Sequence, residues 1–395
     1  MTITRRRFFA TTSALWPVAA LSCAAARSAP TAVAGAAGAG GLVRRDHRIP
    51  GEHGMQLFAR ELRGPSSPRP PVLLLHGARI PGVASFDLPV AGGSLAADLA
   101  AAGHAVFVLD ARGYGGSTRP PAMDRPPDGV APLVRSSDVV RDVAAAVEWI
   151  RARERAPRVA LFGWATGGHW LGHYASLYSD RVSHLVVLNT LYGGTPDHPS
   201  LGRGSDLEDP ARPGQFHRAG FGAHRASTAA SVIGAWDRSI AAASGAAGGA
   251  ASARPDAGAS AHADPAAWRD PAVAEAIVAA ALASDPTSAS RTPPSFRAPT
   301  GALEDSFYLA TGRQLWDASL VLAPTLILRS AGDFWSRPED PQRMAEHMVH
   351  SPRVEVVTIE GAGHFVHLER PVRGRSRMLE ATVAFLSRSP TAKPA

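Results

Sequence analysis

Residues 158–175 read RVALFGWATGGHWLGHYA, and this stretch decides the fold. Val159, Ala160, Leu161 and Phe162 form a short apolar run of the kind that makes a buried strand. Gly163 and Gly167 then bracket a tight turn, and a helix is expected to begin near Gly167. Strand, sharp turn and helix in this order fit the pattern Gly-x-nucleophile-x-Gly, here Gly163, Trp164, Ala165, Thr166 and Gly167. The glycines have a steric reason, because so tight a turn brings strand end and helix start too close for Cβ atoms. The position that should carry a nucleophile holds Ala165, whose methyl group has no electron pair to offer.

The flanking sequence repeats the strand–helix theme. Pro71-Val-Leu-Leu-Leu-His76-Gly77 is a continuous apolar run ending in a glycine turn, typical of a strand buried on both faces. Ser94 to Gly103 reads as a helix with a glycine stop, Ala105 to Leu109 as a buried strand, and Ser137 to Arg153 as a long amphipathic helix with Val139, Val143, Val147 and Ile150 on one stripe. Val182 to Leu188 is a further strand. After a gap the pattern resumes with strand Pro324 to Arg329, a helix near Pro341 to Val349, strand Val354 to Ile359 and a last helix near Arg375 to Leu386. Alternation of this kind predicts an α/β fold: a mostly parallel, doubly wound sheet with helices on both faces. Two alternating segments near His47 and Met55 to Leu62 predict an edge hairpin.

Between Leu191 and Ser319 the alternation stops. Helices are expected there near Ala229 to Ala242, Pro271 to Ala283 and Leu303 to Trp316. Ala241 to Ala263 is a low-complexity patch with too little apolar bulk to pack, expected to be disordered. Trp236, Trp268, Phe307, Tyr308 and Trp316 are expected to form the insert's own core and part of a cleft wall.

Length and composition bound the function. The chain has 395 residues, 45% apolar and 19% charged, which suits a globular protein of one large domain with an insertion. Its net charge of +7 comes almost wholly from scattered arginines, with Lys393 the single lysine, and no basic–aromatic pattern marks a nucleic-acid surface. Residues 1–29 read as an export leader of twin-arginine type: Arg5-Arg6-Arg7-Phe8-Phe9, a mildly apolar run to Ala26, and small residues at Ala24, Ala26 and Ala29 for cleavage. That run contains Pro17 and is too short and too polar for a stable membrane span. The expectation is a periplasmic or extracellular protein. The single cysteine, Cys23, lies in the leader, so the mature chain has no thiol chemistry. Residues 30–45 read as an Ala/Gly-rich flexible linker, 46–190 and 319–390 as two parts of one core, and 191–318 as the insert.

In sequence order, His76-Gly77, the loop Asp110-x-Arg112-Gly113-x-Gly115-x-Ser117, the Gly163–Gly167 turn, Gly332-Asp333 and Gly361-x-Gly363-His364 together resemble the α/β-hydrolase fold superfamily, lidded serine-hydrolase type. The resemblance implies a helical lid after the sixth strand. It also implies a triad in the order nucleophile position Ala165, acid Asp333, base His364, with an oxyanion hole of the Ala78 and Thr166 backbone N–H groups. Gly77, Trp164 and Trp335 are the expected substrate-binding neighbours, and Asp110, Arg112 and Ser117 a loop-fixing network. His169 and His173 have a spacing a metal could use, but no carboxylate or cysteine accompanies them, and ordinary packing is favoured. No metal or cofactor is expected, and the partner is a small-molecule substrate or ligand.

The implied activity is hydrolysis of an ester, lactone or amide bond, severely impaired by Ala165. Two other classes remain: a non-catalytic ligand-binding relative, and a cofactor-free enzyme using His364 and Asp333 for proton transfer. Thr166 is a poor substitute nucleophile, since its side chain should point away from His364.

Overall fold

In the computed structural model of the protein, the described residues are 41–245 and 263–390. The leader, residues 30–40 of the linker and residues 246–262 of the low-complexity patch lie outside them. The first element is a strand, β1 (Val43–Pro50), which pairs antiparallel with β2 (Gln56–Arg63) as the expected edge hairpin. Val43, Arg44 and Arg45, read from the sequence as linker, therefore belong to the sheet, held by register with Arg63, Leu62 and Glu61.

The chain continues through β3 (Arg69–Leu75), short α1 (Gly82–Phe86), α2 (Leu95–Ala101), β4 (His104–Leu109), α3 (Ser136–Glu154), β5 (Val159–Trp164), α4 (Thr166–Leu177) and β6 (Val182–Leu188). An insert follows, with α5 (Arg218–Phe221), β7 (His224–Thr228), α6 (Ala229–Ala243), α7 (Pro271–Ala283), β8 (Ser295–Pro299) and α8 (Gly301–Ala310). The core closes with β9 (Thr325–Ser330), α9 (Glu339–His347), β10 (Val354–Ile359) and α10 (Arg375–Leu386).

The main sheet has eight strands in the order β1-β2-β4-β3-β5-β6-β9-β10. From β4 to β10 every pairing is parallel, and only the β1–β2 and β2–β4 pairs are antiparallel. Side chains on a strand point alternately to the two faces, and the central strands obey this strictly. Val72, Leu74, Val106, Val108, Ala160 and Phe162 join one core, while Leu73, Leu75, Phe107, Leu109, Leu161 and Val187 join the other. The first core is covered by α2, α10 and the insert helices α6 and α7, and the second by α3 and α4. Burial on both faces explains why these strands read as unbroken apolar runs rather than alternating ones.

The insert departs from expectation in two places. β7 and β8 pair as a two-stranded antiparallel sheet, a long-range contact between short polar segments with no periodic signature. α8 stops at Ala310 instead of reaching Trp316, because Gly312 takes φ +90°. Trp316 packs instead against Gly172 of α4, where any Cβ would collide with its ring, and donates its indole N–H to His169 Nδ1 at 3.1 Å.

Candidate active site

The Gly163–Gly167 turn lies where β5 leaves the sheet and α4 begins. A Cβ on Gly163 would fall 2.5 Å from the Gly167 carbonyl carbon, and one on Gly167 would fall 2.5 Å from the His76 carbonyl oxygen. Real Cβ contacts do not approach so closely, so both glycines are steric requirements. Ala165 itself has φ 52° and ψ −120°, a region that L-residues rarely enter. Strain of this kind costs about 1–3 kcal/mol and persists only where the surroundings over-determine it. Here they do: the Ala165 N–H donates to Leu188 O at 2.8 Å, while its carbonyl accepts from Gly168 N at 3.1 Å and Thr190 Oγ1 at 3.2 Å.

Asp333 and His364 sit in the loops that follow β9 and β10, at the carboxyl edge of the sheet where the turn also lies. His364 Nδ1 is 2.6 Å from Asp333 Oδ1, and both residues are buried. The carboxylate can only accept, so Nδ1 carries the proton and Nε2 is left as the basic nitrogen. Asp333 also accepts from the Ser336 N–H at 2.8 Å and the Ser336 hydroxyl at 2.5 Å. Burial works to raise its carboxyl, but His364 and Ser336 outweigh that and hold it below its ordinary value.

His364 is fixed through its main chain as well. Its N–H donates to Ser239 Oγ of α6 at 2.6 Å, and its carbonyl accepts from Trp164 Nε1 at 3.0 Å and Asn189 Nδ2 at 3.1 Å. Asn189 in turn accepts from the Ser330 N–H at 2.7 Å, tying the end of β9 to the His364 loop. Phe334 and Trp164 pack on the imidazole at ring-centroid distances of 4.8 and 5.1 Å. Neither Ser239 nor Asn189 was legible from sequence, since nothing local marks a lone polar residue on an apolar helix or at a strand end.

A cleft of about 210 Å³ is lined by Gly77, Ala78, Trp164, Ala165, Thr166, Trp335 and His364. The structure thus brings all the sequence-derived site residues to one place, apart from Asp333, which stands behind His364. Among the described residues neither the Ala78 nor the Thr166 N–H donates to a protein acceptor. Thr166 Oγ1 is buried without a partner. His76, just before Gly77, is structural: its Nε2 accepts from the Ala111 N–H at 3.2 Å, and Nδ1 donates to Gly77 O at 2.7 Å. The neighbouring loop is pinned by Asp110, which accepts from Gly82 N at 2.6 Å and Gly116 N at 2.8 Å. Arg112 forks onto Asp142, and Ser117 donates to Asp110 O at 2.6 Å.

His367 is fully buried against Trp164 and Phe86, and burial holds its imidazole well below its ordinary value, neutral at physiological pH. His169 bonds to Trp316, and His173 Nδ1 lies 2.7 Å from Ser136 Oγ. Among the described residues no group of histidines, cysteines or acids is arranged to hold a metal, and no helix is long and apolar enough to cross a membrane.

The sequence pattern of the α/β hydrolase fold matches residues 70–233, from β3 into α6. Among solved structures, a thioesterase domain from the curacin biosynthetic pathway is similar with a TM-score of 0.53 and 14% identity, covering 88% of this chain and 100% of that one. An esterase from Rhodococcus sp. has a TM-score of 0.52 and 16% identity, over 87% of this chain and 99% of that one. Epoxide hydrolase A from Mycobacterium thermoresistibile has a TM-score of 0.51 and 22% identity, over 87% and 98%. No curated protein matches the sequence significantly. At such identities these likenesses speak for architecture alone. Strand order, the strained turn after β5 and the sequence pattern agree, and the chain has the α/β-hydrolase fold.

Proposed function

We propose that the cleft is an acyl-transfer site of serine-hydrolase type, for an ester, lactone or amide bond of a small molecule, from which the nucleophilic oxygen has been removed. The observation that carries this reading is that His364, on the same cleft as Ala165 in its strained conformation, is held by Asp333 behind it at 2.6 Å. A protein with no use for a base has no chemical reason to keep a buried carboxylate aimed at it.

With a hydroxyl at position 165, His364 Nε2 would take its proton as the oxygen attacks the carbonyl carbon. Asp333 would hold the imidazole in the right tautomer and stabilise the imidazolium. The Ala78 and Thr166 N–H groups would receive the developing oxyanion, a contribution of about 3 kcal/mol per donor. His364 would then return the proton to the leaving group, and a water would repeat the cycle. With Ala165 there is no covalent step, and turnover falls by on the order of a million-fold. The present chain therefore binds its substrate and leaves it essentially unreacted. Export rests on the Arg5-Arg6-Arg7 leader alone and is part of the same proposal.

Ala165→Ser tests the reading. Assayed with short p-nitrophenyl esters, it should gain several orders of magnitude in kcat/KM over the present chain, and His364→Ala in that background should abolish the gain. A folded Ala165→Ser protein with no gain on ester, lactone or amide substrates would refute the acyl-transfer assignment.

A further inference from the structure

Besides its apolar wall, the cleft is lined by three arginines: Arg79, two residues beyond Gly77; Arg225 of β7; and Arg238 of α6. One comes from the core and two from the insert. We propose that these guanidinium groups hold an oxyanion group of the substrate, a carboxylate or a phosphate, beside the reacting centre. The term substrate rests on the acyl-transfer reading above; the anion site does not.

The argument is one of missing partners. Elsewhere the buried arginines meet acids or, in Arg329, the backbone carbonyls of Ala331, Asp333 and Ser336. Arg112 meets Asp142 at 2.6 Å, Arg337 meets Asp340 at 2.8 Å, and Arg297 meets Asp285 at 3.0 Å. In the cleft no such acid is present among the described residues. The charges acting on Arg79 are those of Arg225 and Arg238, and both are repulsive. Its one hydrogen bond is a long contact of 3.5 Å to Ser231 O. Arg225, half-buried as Arg79 is, has no carboxylate among the groups that act on its charge.

Clustered like charges, here two half-buried (Arg79 and Arg225) and one exposed (Arg238), are costly unless something compensates them. Burial first, and then the two neighbouring arginines, lower Arg79 to about 10, so it is still cationic at neutral pH. Removing water strengthens the attraction between such a cluster and an anion, and guanidinium forks match carboxylate and phosphate oxygens two at a time. The cluster adjoins the Ala78 N–H, so the anion and the scissile carbonyl would belong to one small molecule, in keeping with the cleft's modest volume. It would also bridge core and insert.

The test uses the present Ala165 chain, which does not consume its ligands. Isothermal titration at low salt compares monomethyl adipate, which carries one carboxylate, with neutral dimethyl adipate, and 2-acetoxyethyl phosphate gives the phosphate arm. At least one anionic ester should bind tenfold or more tighter than the neutral one, and which of them does so identifies the oxyanion. The preference should shrink at high salt. It should disappear in Arg79→Gln and Arg225→Gln and survive in part in Arg79→Lys. Equal affinity for the neutral and both anionic esters would overturn the proposal. So would a preference that persists in folded Arg79→Gln/Arg225→Gln, and the salt dependence of the unmutated chain decides the matter should that double variant not fold. If Ala165→Ser hydrolyses esters without regard to charge, the anion site falls and the acyl-transfer reading stands. If Ala165→Ser is inert while anions still bind through the arginines, the reverse holds.

Discussion

Glu369, five residues past His364, is only 2% exposed, and its Oε2 accepts from the Gly363 N–H at 3.1 Å. Burial, with a smaller push from the Asp333 charge, raises its carboxyl from 4.5 to about 7, against the opposing pull of Gly363 and Arg373. The folded state thus holds this proton more tightly than the unfolded chain does. Its contribution to stability is complete below about pH 4.5, and it is lost as the pH rises through about 7. The gap between the two values corresponds to on the order of 3 kcal/mol. Glu369→Gln keeps an oxygen for the Gly363 N–H and removes the ionisation. In urea unfolding followed by tryptophan fluorescence, the difference in unfolding free energy between the two proteins should move in favour of the glutamine by roughly 2 kcal/mol between pH 5 and pH 8. Taking the difference cancels the other groups that titrate in this range, among them Asp305, which burial raises to about 6. A difference that stays flat from pH 5 to pH 8 would refute the reasoning.

Two further substitutions probe the frame around the cleft. Gly167→Ala would push a methyl group into the backbone oxygens of Leu75 and His76, which have no side-chain freedom to yield; it should cost about 3 kcal/mol in urea unfolding, and an unchanged midpoint would contradict the steric account. Ser239→Ala leaves the buried His364 N–H without its 2.6 Å acceptor; about 1–3 kcal/mol of stability should go with it. In an Ala165→Ser background Ser239→Ala should also lower kcat, and an unaltered kcat would show that this hydrogen bond does not position the base.

The core was legible because doubly buried strands have to be apolar at every position, and runs such as Val72 to Leu75 or Val182 to Leu188 admit few other readings. The sharp turn was legible because its glycines answer a collision, not a preference. Asp333 and His364 were reached through the resemblance of their glycine loops to those of the α/β-hydrolase fold, where loops after parallel strands deliver residues to one edge of the sheet. What sequence did not reveal depends on encounters between distant segments. Ser239 gains a role only when α6 reaches the loop after β10, and β7 finds β8 across most of the insert. Val43 to Arg45 looked like linker because strand edges tolerate charged residues facing water. The cleft arginines were invisible for another reason: in a chain whose basic residues are nearly all arginine, an unpaired arginine looks like any other until its surroundings are known.

The placement of α6 has a mechanical consequence. Ser239 grips the base loop, Ala235 and Arg238 face the cleft, and at its far end Ala243 lies against Gly332 so closely that no Cβ could be added there. Gly332 immediately precedes Asp333. A single helix of the insert therefore braces the loops that carry Asp333 and His364 and walls the cleft beside them. Lifting it to widen the cleft would release the main chain of the base and unseat the residue before the acid in the same movement. On the proposed reading, then, opening along α6 and chemical readiness would exclude one another, and this part of the insert would act as a clamp on His364 and Asp333.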